Sequence, residues 1–292
     1  MSERTAASRT PAELAARLGG ITNLCHGFIY FAPQAITAYD ELGLAAHQHY
    51  FASRAAALGA VPAEVAIASF YNFCPAVAEA ALPSAWSVAT PEAIQTARIA
   101  AAGAALAEHC TDALTADELA EATDLAATIC DTISYAGTPL AGGNRATPLP
   151  DEPLARLWQL VTTIREWRGD VHVAALVSEP LHPIEALILH AATGQVPVAA
   201  LRATRGWSDD DWDAKVAGLA DRGLVNADAS FTPAGEATRA AIEDRTNAAC
   251  VALVDAVGAD GADRLFNLLK PWQAGLLASG IFPGTLRSAP KS

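Results

Sequence analysis

One stretch of the chain, residues 207–235, constrains its fold more than any other. It begins with a helical pattern that Gly223 ends. Two short apolar runs follow on either side of the polar turn 226–229, and Pro233 then starts a new helix. This order predicts a helix, a tight β-hairpin and a second helix in immediate succession.

The remainder of the chain has the composition of a helical protein. Of its 292 residues, 52% are hydrophobic, alanine is the commonest type, and runs rich in valine, isoleucine and threonine are scarce. The segment 137–153 is rich in proline and glycine and divides the chain. We therefore predict a mostly α protein with a helical domain at 1–136, a connector at 137–153 and a second domain at 154–292.

Residues 181–280 resemble the winged helix-turn-helix of MarR-type bacterial regulators. Two segments carry the similarity, Leu219-Ala220-Asp221-Arg222-Gly223-Leu224-Val225 and Phe231-Thr232-Pro233-Ala234-Gly235. In that family the first segment ends the recognition helix, and the second begins the dimerisation helices after the wing. The resemblance implies a multi-helical N-terminal half fused to a winged helix-turn-helix with a small β-hairpin wing. It also implies a small hydrophobic or aromatic ligand between the wing domain and the long C-terminal helices.

The whole chain is also similar to a family of uncharacterised actinobacterial helix-turn-helix proteins. The similarity is carried by Phe70-Tyr71-Asn72-Phe73-Cys74-Pro75 and by residues 165–176, Arg-Glu-Trp-Arg-Gly-Asp-Val-His-Val-Ala-Ala-Leu. Trp167 and Val171 stand where this family is expected to have histidine and glycine. If the motif lines a site, this chain has a reshaped version of it.

The charge of the chain argues against reading DNA. Its 19 Lys and Arg stand against 32 Asp and Glu, a formal net charge of −13. The expected recognition helix carries Asp209, Asp210, Asp211 and Asp213, and the turn 226–229 has no Arg or Lys. Aspartates also favour the N-terminus of a helix, but a protein that neutralises phosphates needs cations. We therefore predict a degenerate, acidic DNA-reading surface and do not expect DNA as a partner.

The densest group of chemically competent side chains lies at residues 165–172. On a helix, Arg165, Arg168 and His172 share one face, and Glu166 and Asp170 share the next. Two guanidiniums could clamp a carboxylate or phosphate, and Glu166, Asp170 and His172 could act as acid–base groups. An ion-paired structural network is the alternative, because Trp167 and other apolar residues flank the group.

A second polar group lies in the N-terminal half. His26 and Tyr30 are four residues apart and therefore share a helix face, while Tyr71 and Asn72 follow a later helix. The other members are His47, His49, Tyr50 and Arg54. No metal-ligand spacing or nucleotide-binding loop occurs, so no metal and no cofactor are expected. We predict that His26, Tyr30, Tyr71, Asn72, Arg165, Trp167 and Arg168 bind a ligand.

Three functions are consistent with these patterns. The first is a MarR-like protein that binds a small hydrophobic or aromatic ligand with an acidic group. The alternatives are an enzyme of actinobacterial secondary metabolism that uses Glu166, Asp170 and His172, and a ligand-responsive transcriptional regulator. Five scattered cysteines, no apolar leader within residues 1–11 and no long apolar run predict a cytoplasmic protein without membrane contact. A homodimer is expected through the helices from Pro233 onwards, unless these close over the N-terminal half.

Overall fold

The computed structural model describes residues 9–283, and within them nearly all regular structure is α-helical. The first half contains α1 Pro11–Gly27, α2 Pro33–Glu41, α3 Ala46–Ala55, α4 Ala63–Phe70, α5 Pro75–Ala81, α6 Pro91–Cys110 and α7 Ala116–Thr132. The second half contains α8 Pro139–Ala146, α9 Pro153–Val177, α10 Pro183–Ala192, α11 Val198–Arg205, α12 Asp209–Asp221, α13 Pro233–Ala249, α14 Val251–Asp255 and α15 Gly258–Ala278. The mostly α prediction is confirmed. Most of the N-terminal segment 1–11 lies outside the described residues.

The predicted two-stranded wing is wrong for the described residues. The segment between α12 and α13 forms a single antiparallel bridge, Val225 with Phe231, and no strand. Asn226 and Asp228 hydrogen-bond Ser230 within the loop, at 2.9 Å and 3.0 Å. These local bonds replace the ladder of a longer hairpin, and α13 begins at Pro233 before a strand can extend.

A pair of glycines lies inside the first helix. Adjacent glycines commonly mark the end of a helix, but α1 runs through Gly19 and Gly20 to Gly27. A Cβ atom on Gly19 would lie 2.2 Å from the Nε atom of Arg168. Glycine in a helix costs about 1 kcal/mol, and here it allows the Arg168 side chain of α9 to cross α1 in direct contact.

The segment predicted as a connector contains the short helix α8. Its N-terminus receives a carboxylate from another element, because the backbone N–H of Ala141 donates to Asp170 of α9 at 3.0 Å. The division of the chain at residues 136 and 153 stays a prediction.

Two hydrophobic cores organise the described residues. The larger one combines side chains from α1–α9 with those of α14 and α15, including the fully buried Trp158 and Trp272. The smaller one lies among α10–α13, around Trp212, Leu219 and Ile242. The last helices therefore return to the first half of the chain, and the helix-turn-helix segment has a core of its own.

The two halves of the chain pack onto each other reciprocally. Helix α1 packs against α13 and α15 of the second half, while α9 packs against α6 and α7 of the first half. Helices α1 and α9 also contact each other, as do α7 and α15. Each half thus completes its core with helices from the other.

Part of the element order recurs in the two halves, although α4 and α5 of the first half stand where the second half has α12 alone. A long helix (α1 or α9) precedes a proline-initiated helix (α2 or α10) and then another short helix (α3 or α11). A glycine with positive φ follows each short helix, and a Thr-Pro pair caps the later long helix, α6 or α13. The corresponding residues are Gly43 and Gly194, Gly59 and Gly206, and Thr90-Pro91 and Thr232-Pro233.

No single helix within residues 9–283 has the length and apolarity to cross a membrane. One pair of helical segments bent against each other, Ala46–Leu58 with Ala63–Phe70, meets the length and composition requirement together.

Candidate functional site

The predicted site residues on α9 do not converge on one point. Arg168 and His172 face α13, as their shared helix face requires, but Arg165 turns towards α1 and donates to Asn23 at 3.1 Å. Glu166 points into the larger core, and Asp170 caps α8. The segment 165–172 therefore contributes to four separate contacts, with α13, α1, the larger core and α8.

Glu166 is the centre of a buried ion-pair network. Its side chain is 0% exposed, and Arg54 of α3 donates to its two carboxylate oxygens at 3.0 Å and 2.9 Å. Arg165 donates to the same carboxylate. Burial alone would raise the pKa of Glu166, but the guanidiniums of Arg165 and Arg54 hold it well below its ordinary value. Glu166 is therefore an ionised counterion for two arginines.

His26 joins this network from α1. Its ring nitrogens lie 3.0 Å from the Thr162 hydroxyl and 2.9 Å from the Tyr30 hydroxyl, and its Nε2 atom is 3.8 Å from Glu166. The ring stacks on Trp158, with 5.9 Å between centroids. Burial and the charge of Arg165 lower the pKa of His26 well below its ordinary value, so the imidazole is neutral.

Aromatic rings continue the group towards the helix-turn-helix. The rings of Tyr30 and Tyr50 are 4.7 Å apart, and those of Tyr50 and Phe73 are 5.0 Å apart. The guanidinium of Arg205, at the end of α11, lies 4.5 Å from the centroid of Phe73. We call the set His26, Tyr30, Tyr50, Arg54, Arg98, Trp158 and Glu166 the interior cluster.

Arg98 is the member of the interior cluster with the fewest partners. It lies on α6, is 0% exposed, and donates from Nη2 to the Tyr30 hydroxyl at 3.2 Å. Its Nε and Nη1 atoms have no hydrogen-bond partner among the described residues. Its guanidinium also lies 5.2 Å from the centroid of Trp158. No carboxylate in residues 9–283 pairs with it.

The polar contacts between α9 and α13 form a separate group. Arg168 donates to Glu243 at 3.1 Å and to Asn247 at 2.9 Å. His172 lies within 3.0 Å of the Thr246 hydroxyl, and burial lowers its pKa to about 4. His172 is therefore neutral at pH 7 and links two helices of the second half.

Asp170 and Trp167 hold the segment that precedes and includes α8. The indole of Trp167 donates to the carbonyl of Ser134 at 2.8 Å. Burial raises the pKa of Asp170 to about 6, although the N–H of Ala141 opposes the shift. A shallow apolar groove of about 390 Å³ lies nearby, and it is lined by Ala136, Gly137, Thr138, Val171, Ala174, Ala175, Arg245 and Ala249.

Tyr71 and Asn72 lie at the seam between the helical body and the helix-turn-helix. The Tyr71 hydroxyl donates to the carbonyl of Leu181 at 3.2 Å, and the indole of Trp207 donates to the carbonyl of Asn72 at 3.0 Å. The N–H of Cys74 donates to the carbonyl of Arg205 at 2.9 Å. The loop 71–74 thus holds the turn between α11 and α12, and these two residues contact the second half rather than His26.

The exposed surface of α12 is acidic. Asp209, Asp210, Asp211 and Asp213 are all exposed. Arg202 of α11 pairs with Asp209 and Asp213, the latter at 2.6 Å. Arg222 pairs with Glu185 at 3.0 Å, and Arg205 faces Phe73. The arginines near α12 are therefore engaged by acids or by the body and do not form one basic patch.

Comparison with known proteins places this arrangement in a family. A sequence model described as a helix-turn-helix family matches residues 15–283. The chain belongs to this helix-turn-helix family. No curated protein and no solved structure matches the chain. Because the match spans both halves, the family comprises the helical body as well as the segment α10–α12.

Four members of the interior cluster in this helix-turn-helix protein, Tyr50, Arg54, Arg98 and Trp158, were not predicted as site residues. Arg98 stands in an alanine-rich helix between Ile94 and Ala102, all of them buried, and a lone arginine in such a setting is a usable signal. Trp158 reads as an ordinary core residue of α9. Glutamate, histidine and tyrosine were recognised from helical spacing, whereas Arg54 and Arg98 reach them only through tertiary packing.

Proposed function

We propose that this helix-turn-helix protein is a MarR-like small-molecule-binding protein whose DNA-reading surface is degenerate and acidic. The observation that carries the proposal is the state of α12. Its exposed aspartates face solvent, and the arginine nearest to them, Arg202, is paired with two of them. A surface of that charge repels a phosphate backbone instead of releasing its counterions.

The position of the turn supports the same proposal. In a helix-turn-helix that reads DNA, the second helix enters the major groove and must be presented freely. Here the turn before α12 is held by Asn72 and Cys74 of the helical body. The ligand then binds in the body, where the interior cluster gathers tyrosines, a neutral histidine and arginines in an otherwise apolar core.

DNA binding by the full-length protein tests the first half of the proposal. Fluorescence anisotropy with a short random-sequence duplex should show no binding at about 0.15 M salt. A variant with Asp209, Asp210, Asp211 and Asp213 replaced by Asn should gain weak, salt-dependent binding. The matched control neutralises four exposed acids elsewhere, Asp112, Asp117, Asp124 and Asp131, and should gain less. Binding by the unaltered protein at this salt would sink the proposal.

Native mass spectrometry of the protein purified from its own host tests the second half. We expect a retained small molecule with an acidic group. Loss of that molecule on denaturation, with the mass of the chain unchanged, identifies it as a noncovalent ligand. If folded protein from repeated host preparations carries no small molecule, the result counts against ligand binding.

A ligand-responsive transcriptional regulator is the second candidate, and membership of a helix-turn-helix family favours it. In that case ligand binding would have to release the turn from the loop 71–74 and Arg202 from its aspartates. Specific duplex binding that appears only in the presence of the retained molecule distinguishes this candidate from the first.

A further inference from the structure

We propose that Arg98 binds the carboxylate group of a small molecule in the interior of the helical body. This inference deepens the proposed function, since it names the chemical group that the ligand must carry and the residue that receives it.

Arg98 has more hydrogen-bond donors than it has partners. A guanidinium has five N–H donors and no acceptor, and a buried one needs partners for most of them. Arg98 is 0% exposed, yet it donates a single hydrogen bond, from Nη2 to the Tyr30 hydroxyl. Its Nε and Nη1 atoms are buried without a partner in the described part of the chain. Nε and Nη1 lie on opposite edges of the planar guanidinium, and Nη2 belongs to both edges. Because Tyr30 takes only one of the two N–H groups of Nη2, one complete edge remains for an acceptor with two oxygens.

The charge balance of the interior cluster indicates an anion. The cluster contains the guanidiniums of Arg54 and Arg98 and one ionised carboxylate, Glu166. Arg54 donates to both oxygens of Glu166, and Arg165 donates a further hydrogen bond to the same carboxylate. His26 is neutral and supplies no negative charge. Arg98 is therefore left as a buried cation without a counterion, which an acidic ligand group would provide.

A second unpaired donor lies beside Arg98. The Nε1 atom of Trp158 is buried without a partner in the described part of the chain. The guanidinium carbon of Arg98 lies 5.2 Å from the centroid of the Trp158 ring. An indole N–H can only donate. Two contacting side chains that both lack an acceptor fit a planar group with two acceptor oxygens.

A carboxylate fits these donors better than a phosphate. Its single charge supplies one counterion to Arg98, and its two oxygens match one edge of a planar guanidinium. The surrounding rings of Tyr30 and Trp158 suit the apolar or aromatic remainder of such a molecule. Tyr30, which contacts Arg98, is half-buried, so the interior cluster comes close to solvent at this residue.

The test compares the full-length protein with Arg98→Met. Urea unfolding is measured in carboxylate-free buffer and with sodium benzoate, acetate, formate or chloride at equal ionic strength. We expect benzoate and acetate to stabilise the unaltered protein saturably, by about 100-fold in the unfolding constant when the ligand reaches about 100 times its Kd. Chloride should have little effect. Arg98→Met should show no carboxylate response, while Arg264→Met, which removes an exposed arginine paired with Glu121, should keep it.

The stability of Arg98→Met without ligand gives an independent readout. If Arg98 awaits an anion, replacing the unpaired cation with an apolar side chain leaves the urea midpoint unchanged or raises it. A lower midpoint together with equal carboxylate responses in both proteins makes Arg98 a structural residue and overturns the proposal. Equal stabilisation by chloride overturns the carboxylate assignment. Neither result bears on the duplex-binding experiment, so the proposed function and this inference can fail separately.

Discussion

The surface of α12 and the interior cluster show opposite uses of charge within one protein. On α12, four aspartates face water beside a single paired arginine. In the interior, Arg54 and Arg98 share a core with one carboxylate, Glu166. A chain with a formal net charge of −13 thus exposes acids where a helix-turn-helix usually exposes cations and buries arginines instead.

Solvent screens the charges of these two regions to different extents. Water and salt screen the aspartates of α12, so their mutual repulsion and their pairs with Arg202 have little influence on folding. The arginines of the interior cluster lose that screening and depend on specific partners. The interior therefore has strict requirements for residue identity, while the surface of α12 has few. Four predictions test this contrast, from the largest expected effect to the smallest.

Replacement of Glu166 should have the largest effect on stability. Glu166→Gln removes the counterion of Arg54 and Arg165 and leaves buried guanidiniums unpaired, so we expect a loss of about 3–5 kcal/mol in the free energy of unfolding. The control is Glu121→Gln, which breaks an exposed pair with Arg264 and should cost about 0–1 kcal/mol. Urea denaturation measures both. Equal losses in the two variants would contradict the contrast between interior and surface.

Gly206 tests the contact between the helix-turn-helix and the helical body. This residue has φ +74°, and a Cβ atom there would lie 2.4 Å from Val77 of the helical body. Gly206→Ala should cost about 2–4 kcal/mol, from the left-handed backbone and from the clash. Gly194 has φ +71° and open space around it, so Gly194→Ala should cost only about 1–2 kcal/mol. Thermal unfolding of the two variants isolates the contact with Val77, and similar losses would mean that the turn is not held there.

Asp170 is a buried acid that forms no ion pair with an arginine within residues 9–283. Its pKa of about 6 lies above the ordinary value of 3.8, so the folded protein binds a proton more tightly than the unfolded chain does. Its contribution to stability is therefore greatest at low pH and is lost as the pH rises through about 6. Asp170→Asn keeps an acceptor for Ala141 and should raise stability at pH 8 by about 1–2 kcal/mol, with no gain below pH 4. Denaturation across this pH range measures the difference, and a gain independent of pH would contradict the assigned shift.

The aspartates of α12 should matter least to folding. Asp213→Asn breaks an exposed pair with Arg202 and should change the free energy of unfolding by less than about 0.5 kcal/mol. Asp210, which is exposed and forms no ion pair within residues 9–283, provides the matched control Asp210→Asn. A loss above 2 kcal/mol in Asp213→Asn, measured by urea denaturation, would give this surface a structural role and weaken the comparison.

Helix starts were the part of the fold that the sequence predicted best, because caps are local. Ser208 caps α12 through the N–H of Asp211 at 3.0 Å, and Thr115 and Glu118 form a reciprocal capping pair at α7, as their spacing of three residues favours. The glycines at 19 and 20 do not show locally that α1 continues through them, because the reason for a glycine at position 19 is contact with Arg168, which is distant in sequence. The wing was wrong because loop side chains and Pro233 left too few residues for paired strands.

The sequence also predicted only the local part of the candidate site. Helical spacing places His26 next to Tyr30, and the structure has them 2.9 Å apart. Spacing also grouped Glu166 with Asp170, but it could not show that Arg54 and Arg98 arrive from α3 and α6. Whether the predicted site residues bind a ligand or act in catalysis stays a prediction.

The reciprocal packing of the two halves has a consequence for assembly. When two separate chains complete each other's cores, folding is a bimolecular reaction and the stability depends on protein concentration. Here the partner helices belong to the same chain, and the segment between α7 and α9 keeps them at a high effective concentration. The contacts between α1 and α15 and between α9 and α7 are thus formed without an encounter between molecules.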